Sequence, residues 1–80
     1  MLLQYIQTAM TKAHYEILDD DGTFVGTVPG FQGVYSNART LEACRAELEE
    51  VLEEWIFLRI SRGLPVPVVE GIQLVVKEVV

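Results

Sequence analysis

The sequence predicts an α+β domain: a small mixed sheet of about three amino-terminal strands plus one carboxy-terminal strand, packed on one long helix, with a short amino-terminal helix. Three observations carry this. Residues 40–62 hold apolar side chains at helical spacing between a capping threonine and a Gly-x-Pro stop. Asp21-Gly22 separates two runs rich in aromatic and β-branched residues. Leu2, Leu3, Ile6, Ala9, Met10 and Ala13 recur at intervals of three and four, with Gln4, Gln7, Thr8, Thr11 and Lys12 between them.

The first element is therefore a short amphipathic helix over 1–12. Residues 13–36 then change texture. Tyr15 and Ile17 lead to Asp19-Asp20-Asp21-Gly22, and Phe24, Val25 and Val28 follow. Asp-Gly between such runs signals a hairpin. Pro29-Gly30 and Gly33 break the second strand, and Val34-Tyr35-Ser36 can form a third.

In the long helix, the Thr40 hydroxyl can accept an orphan amide hydrogen, and Glu42 lies in the first turn, where the helix dipole favours an anion. Leu41, Cys44, Leu48, Val51, Leu52, Trp55 and Leu58 form a stripe that can cover a sheet. Gly63 suits the C′ position, Leu64 can fold back on Leu58, and Pro65 prevents continuation. After Pro67, Gly71 and Ile72-Gln73-Leu74-Val75-Val76 predict a final strand over 71–77 that joins the sheet. No repeat or linker divides the chain, so 1–80 is read as a single domain.

Eighty residues bury a modest core, yet 50% are hydrophobic, so some apolar surface is expected between subunits. A homodimer or higher homo-oligomer is the expectation. Twelve acidic against six basic residues give a net charge of −6, which repels nucleic-acid phosphates and anionic membranes and attracts a basic protein. Basic residues are sparse and not interleaved with aromatics, so nucleic-acid binding by this chain alone has no support. The lone cysteine, Cys44, has no disulfide partner in the chain. With no signal-peptide pattern and no apolar run of about 18–20 residues, a soluble, cytoplasmic protein is expected.

Few residues could carry chemistry. The run Asp19-Asp20-Asp21 clusters carboxylates but lacks the alternating ligands and closing glutamate of a calcium loop, so a solvated turn is expected. His14 is the only histidine and no nucleophile motif accompanies it. Cys44 lies on the apolar stripe, where a thiol acts as a small hydrophobe. The glycines of 22–33 precede no helix start at the offset of a phosphate cradle. No catalytic, metal or cofactor residue is assigned, and the chain is not expected to be an enzyme.

Two surfaces of the long helix remain. Glu49, Glu50 and Glu53 could meet a basic protein, or form a solvated face laced by Glu42–Arg45 and Arg45–Glu49 pairs. Phe57 lies two turns beyond Glu50, on the otherwise acidic side, with Ile56 and Ile60 beside it. These three must be covered by the amino-terminal helix or by a second subunit.

In order, Tyr15-Glu16-Ile17, Asp21-Gly22-Thr23-Phe24-Val25-Gly26, Val28-Pro29-Gly30-Phe31-Gln32-Gly33-Val34 and Thr40-Leu41-Glu42-Ala43 with the helix through Trp55 resemble the HicB-like antitoxin family, over residues 15–67. The resemblance implies a truncated ribonuclease H-like domain acting as the antitoxin of a type II pair. Its partner would be a small basic toxin of the HicA type that cleaves messenger RNA. The family often has Gly-Asp-Thr before the helix, where this chain has Ala38-Arg39-Thr40, and many members add a carboxy-terminal DNA-binding domain. The resemblance is thus to a stand-alone subfamily. The functional expectation is neutralisation of such a toxin by protein–protein contact, and the alternative is an orphan oligomeric interaction module with no toxin partner.

Overall fold

The computed structural model describes residues 2–74. Helix α1 (Leu2–Met10) leads to β1 (His14–Ile17), β2 (Phe24–Thr27) and β3 (Tyr35–Ala38), and α2 (Leu41–Ser61) follows. The strands form an antiparallel sheet in the order β1-β2-β3. The α+β class and the sequence of helix, three strands and long helix are as the sequence predicts.

Asp21-Gly22 closes the first hairpin. The Gly22 N–H donates to the Leu18 carbonyl at 2.9 Å, and the Leu18 N–H to that of Thr23 at 2.8 Å. The Asp21 carboxylate accepts from both the backbone and the hydroxyl of Thr23, at 3.0 and 2.7 Å. In register across the sheet stand Tyr15, Gly26 and Ser36, all on the face beneath α2. A Cβ on Gly26 would lie 3.0 Å from a Tyr15 ring carbon and 3.1 Å from the Ser36 hydroxyl. Glycine here lets the tyrosine ring lie flat across the middle strand. The opposite face carries His14, Thr27, Tyr35, Glu16 and Asn37, all exposed, the alternation of a sheet packed on one side.

Between β2 and β3, two turns follow one another. The Phe31 N–H reaches the Val28 carbonyl and the Val34 N–H that of Phe31, each at 3.1 Å. Gly30 and Gly33 occupy the third position of each turn at φ of +86° and +91°, a geometry other residues enter at a cost. The spacing of three aims Val28, Phe31 and Val34 into the core, all buried.

Helix α2 is capped as predicted. The Thr40 hydroxyl accepts from the Ala43 N–H at 3.1 Å. At the other end the Gly63 N–H donates to Ile60 and the Leu64 N–H to Arg59, the paired bonds of a Schellman motif. Its buried residues are Cys44, Leu48, Leu52 and Ile56. A ladder of four-residue steps advances about 40° per step around a helix of 3.6 residues per turn. The buried line accordingly starts over the sheet and ends against α1, whose Tyr5, Ile6, Ala9 and Met10 are buried in the same core. Leu41 and Leu58, expected in this stripe, lie off the winding line and are exposed.

The predicted strand over 71–77 is corrected for the part described. Residues 70 and 71 both have positive φ, 49° and 77°, and Val69 and Ile72 exchange hydrogen bonds of 3.1 and 2.8 Å. Such a primed turn pairs Ile72 with Val69 instead of with the sheet, so the described sheet is antiparallel and not mixed. Residues 75–77 of the expected strand lie outside the described residues. The stretch before this turn docks on α1. The Tyr5 hydroxyl donates to the Pro67 carbonyl, Lys12 pairs with Glu70, and Val69 is buried.

Candidate functional site

The outward side of α2 is acidic. Between Arg45 and Arg59 the helix holds five glutamates and no cation. Glu47, Glu50, Glu53 and Glu54 are exposed, as is Glu42 in the first turn. The anticipated Glu42–Arg45 and Arg45–Glu49 pairs do not form; among the described residues the ion pair is Lys12–Glu70. Among the described residues no cation pairs with the carboxylates of this band, which concentrates negative charge along one helix face.

Glu49 stands apart from Glu50 and Glu53. It is half-buried at the flank of the helix, near Tyr15. Burial pushes the Tyr15 hydroxyl above its ordinary pKa, Arg45 opposes this, and Cys44 and Glu49 add to it. That hydroxyl has no hydrogen-bond partner among the described residues. Of the three glutamates expected to face a partner, Glu50 and Glu53 lie on the open face and Glu49 leans toward the sheet.

The apolar end of α2 divides similarly. Ile56 is only 1% exposed and belongs to the core beneath α1, so of the expected subunit contacts it offers no more than the floor of a groove. Ile60 is half-buried. Phe57 is 68% exposed. It stands at the edge of a groove of about 390 Å³ lined by Leu2, Leu3, Ile6, Glu53, Ile56 and Ile60. Leu2 and Leu3, read as part of the buried stripe of the first helix, are 49% and 67% exposed and extend this patch. Tyr5 takes their place inside, because its hydroxyl has the Pro67 carbonyl to satisfy it.

Missing from the sequence reading was an aromatic chain. Phe31 meets Tyr5 edge-on at 6.2 Å and Trp55 at 5.3 Å, and the Arg59 guanidinium lies 4.9 Å from the centre of the Trp55 ring. Arg59 also donates to the Pro65 carbonyl at 2.7 Å. The regular spacing of Val28, Phe31 and Val34 was the available signal.

The residues weighed for chemistry are scattered. His14 is exposed at the start of β1, beside Lys12 and Glu70. Asp19 and Asp20 are exposed, and Asp21 is committed to Thr23, whose hydrogen bonds hold its carboxyl below the usual range. Cys44 is buried, its sulfur 3.2 Å from the Ser36 hydroxyl, which in turn donates to the Cys44 carbonyl at 2.8 Å. These groups do not converge, and the two surfaces of α2 are what the fold presents.

The sequence of residues 4–67 matches the model of the UPF0150-like family. The chain belongs to this family. The crystal structure of TTHA0281 from Thermus thermophilus is similar to it, with a TM-score of 0.89 and 30% identity over 96% of this chain and 95% of that one. No curated protein sequence matches the chain significantly. The UPF0150-like match spans α1 after its first residues, the whole sheet, α2 and the Pro65–Pro67 stretch docked on Tyr5. Among the described residues no helix is long and apolar enough to cross a membrane.

Proposed function

We propose that this UPF0150-like chain is an antitoxin-like binding protein that neutralises a small basic, RNA-cleaving toxin of the HicA type by direct contact. The supporting observation is the acidic band of α2: five glutamates between Arg45 and Arg59, with Glu50 and Glu53 at its centre and no cation paired to them among the described residues. An enzyme that binds RNA must present cations to the phosphate backbone. A rigid helix carrying carboxylates at the spacing of successive turns competes for those cations. It would steer the encounter electrostatically and then cover the RNA-binding surface. The motif order shared with HicB-like antitoxins and the net charge of −6 point the same way. In this reading the chain acts by binding and not by catalysis.

Co-expression with a small basic RNA-cleaving toxin of the HicA type tests the proposal. The two should co-purify, growth should be restored, and the complex should weaken steeply with added salt. Glu50→Lys combined with Glu53→Lys should abolish rescue while the circular dichroism spectrum stays unchanged. Rescue undiminished by this double charge reversal would remove the acidic band from the contact.

A further inference from the structure

The patch around Phe57 adjoins the acidic band at Glu53, one turn before Phe57 on the same helix face, and poses a separate question. It has two parts in one place: a protruding ring, and beside it the groove between α1 and α2 lined by Leu2, Leu3, Ile6 and Ile60. Glu53 at the rim is the charged side chain among the lining residues.

We infer that this patch is a two-fold self-association surface, in which Phe57 of each copy enters the α1–α2 groove of the other. An isologous contact requires one surface to be complementary to itself, so it must supply both a protrusion and a recess within reach of the axis. Here the recess adjoins the ring. Among the described residues the lining contains no lysine or arginine, which disfavours an anionic lipid surface. A basic partner would find the glutamate band and not these leucines.

The area is consistent with a reversible dimer. Leu2, Leu3 and Phe57, at 49%, 67% and 68% exposure, leave about 350 Å² of mostly apolar surface per copy. Homodimer interfaces are about 65% apolar, which implies about 550 Å² per partner, just under the range of standard stable interfaces and suited to a weak, reversible dimer. The pairing also brings Glu53 of each copy to the rim with no cation among the described lining residues of the opposing patch. Glu53 therefore limits the affinity of the dimer.

Sedimentation velocity over ~1 μM to ~1 mM chain tests the inference, a range chosen to bracket a reversible dimer. The wild-type chain should shift with concentration from its 9.0 kDa mass to twice that mass. Phe57→Glu and, independently, Leu3→Glu should stay monomeric with unchanged circular dichroism, and Glu53→Gln should lower the dimer Kd several-fold. Leu3→Glu carries the test if Phe57→Glu fails to fold. A chain that stays monomeric throughout, or a dimer that survives both charge insertions, overturns the inference. The measurement involves no toxin, so its outcome is independent of the proposed neutralising role.

Discussion

The two halves of α2 share one sequence rule and meet different surroundings. In the first half, the four-residue ladder of Cys44 and Leu48 lies over the sheet, and the remaining faces are charged and solvated. In the second half the ladder has wound round to Ile56 and Ile60, α1 covers one flank, and Phe57 on the next flank has no cover among the described residues. The lesson is that a helix whose apolar line follows steps of four must be met by successive partners along its length. This chain supplies a sheet and then a short helix, and the short helix is too narrow to cover the last turns completely.

The largest effects are expected where both halves share the core. Leu52→Ala, at a fully buried position between them, should cost about 2–5 kcal/mol in urea unfolding, much of the stability of so small a domain. Gly26→Ala drives a methyl into the Tyr15 ring and the Ser36 hydroxyl under the first half. It should cost about 1–3 kcal/mol, with the loss visible in the near-ultraviolet spectrum of the tyrosine. Thr40→Ala removes the cap of the sheet-facing end and should cost about 1 kcal/mol in the same unfolding assay.

The contrast sharpens at Phe57. In a dilute, monomeric sample Phe57→Ala should leave stability within about 0.5 kcal/mol of the parent, although the residue removed is larger than Leu52. A loss comparable to that of Leu52→Ala would mean that the second half is as enclosed as the first. Away from α2, the hairpin turn should respond to acid. The Asp21 carboxyl is lowered by its bonds to Thr23, so it stabilises the fold above its unfolded value of ~3.9 and the contribution fades as pH falls through the folded value. Asp21→Asn should flatten this acid limb of the thermal-stability profile, by the smallest margin of the set.

Much of this was legible in the sequence where chemistry is local. Thr40 and Gly63 mark the ends of α2 because their hydrogen bonds lie within a few residues, and Asp21-Gly22 marks its hairpin for the same reason. The excess of apolar side chains beyond Trp55 was also visible. What was not visible depends on contacts distant along the chain. Tyr5 can be buried with Ile6, Ala9 and Met10 because Pro67, 62 positions away, accepts from its hydroxyl. Ile72 pairs with Val69 and not with the sheet because Glu70 and Gly71 together take the primed turn, and the β-forming run after them hid that signal. Ile56 and Phe57 are neighbours of similar hydrophobicity, and a difference of about 100° around the helix decides which becomes core and which surface.

The proposed division of labour lies between two outward surfaces: glutamates for a basic protein, and the Phe57 patch for a second copy. Light scattering of the chain mixed with a small basic toxin of the HicA type tests both directly. The parent should form a complex of two chains with two partners, and Phe57→Glu a one-to-one complex. Glu47→Lys combined with Glu50→Lys, both exposed and outside the Phe57 groove, should bind no partner. A complex whose mass is indifferent to Phe57→Glu, or whose partner stays bound after the double charge reversal, would contradict this division.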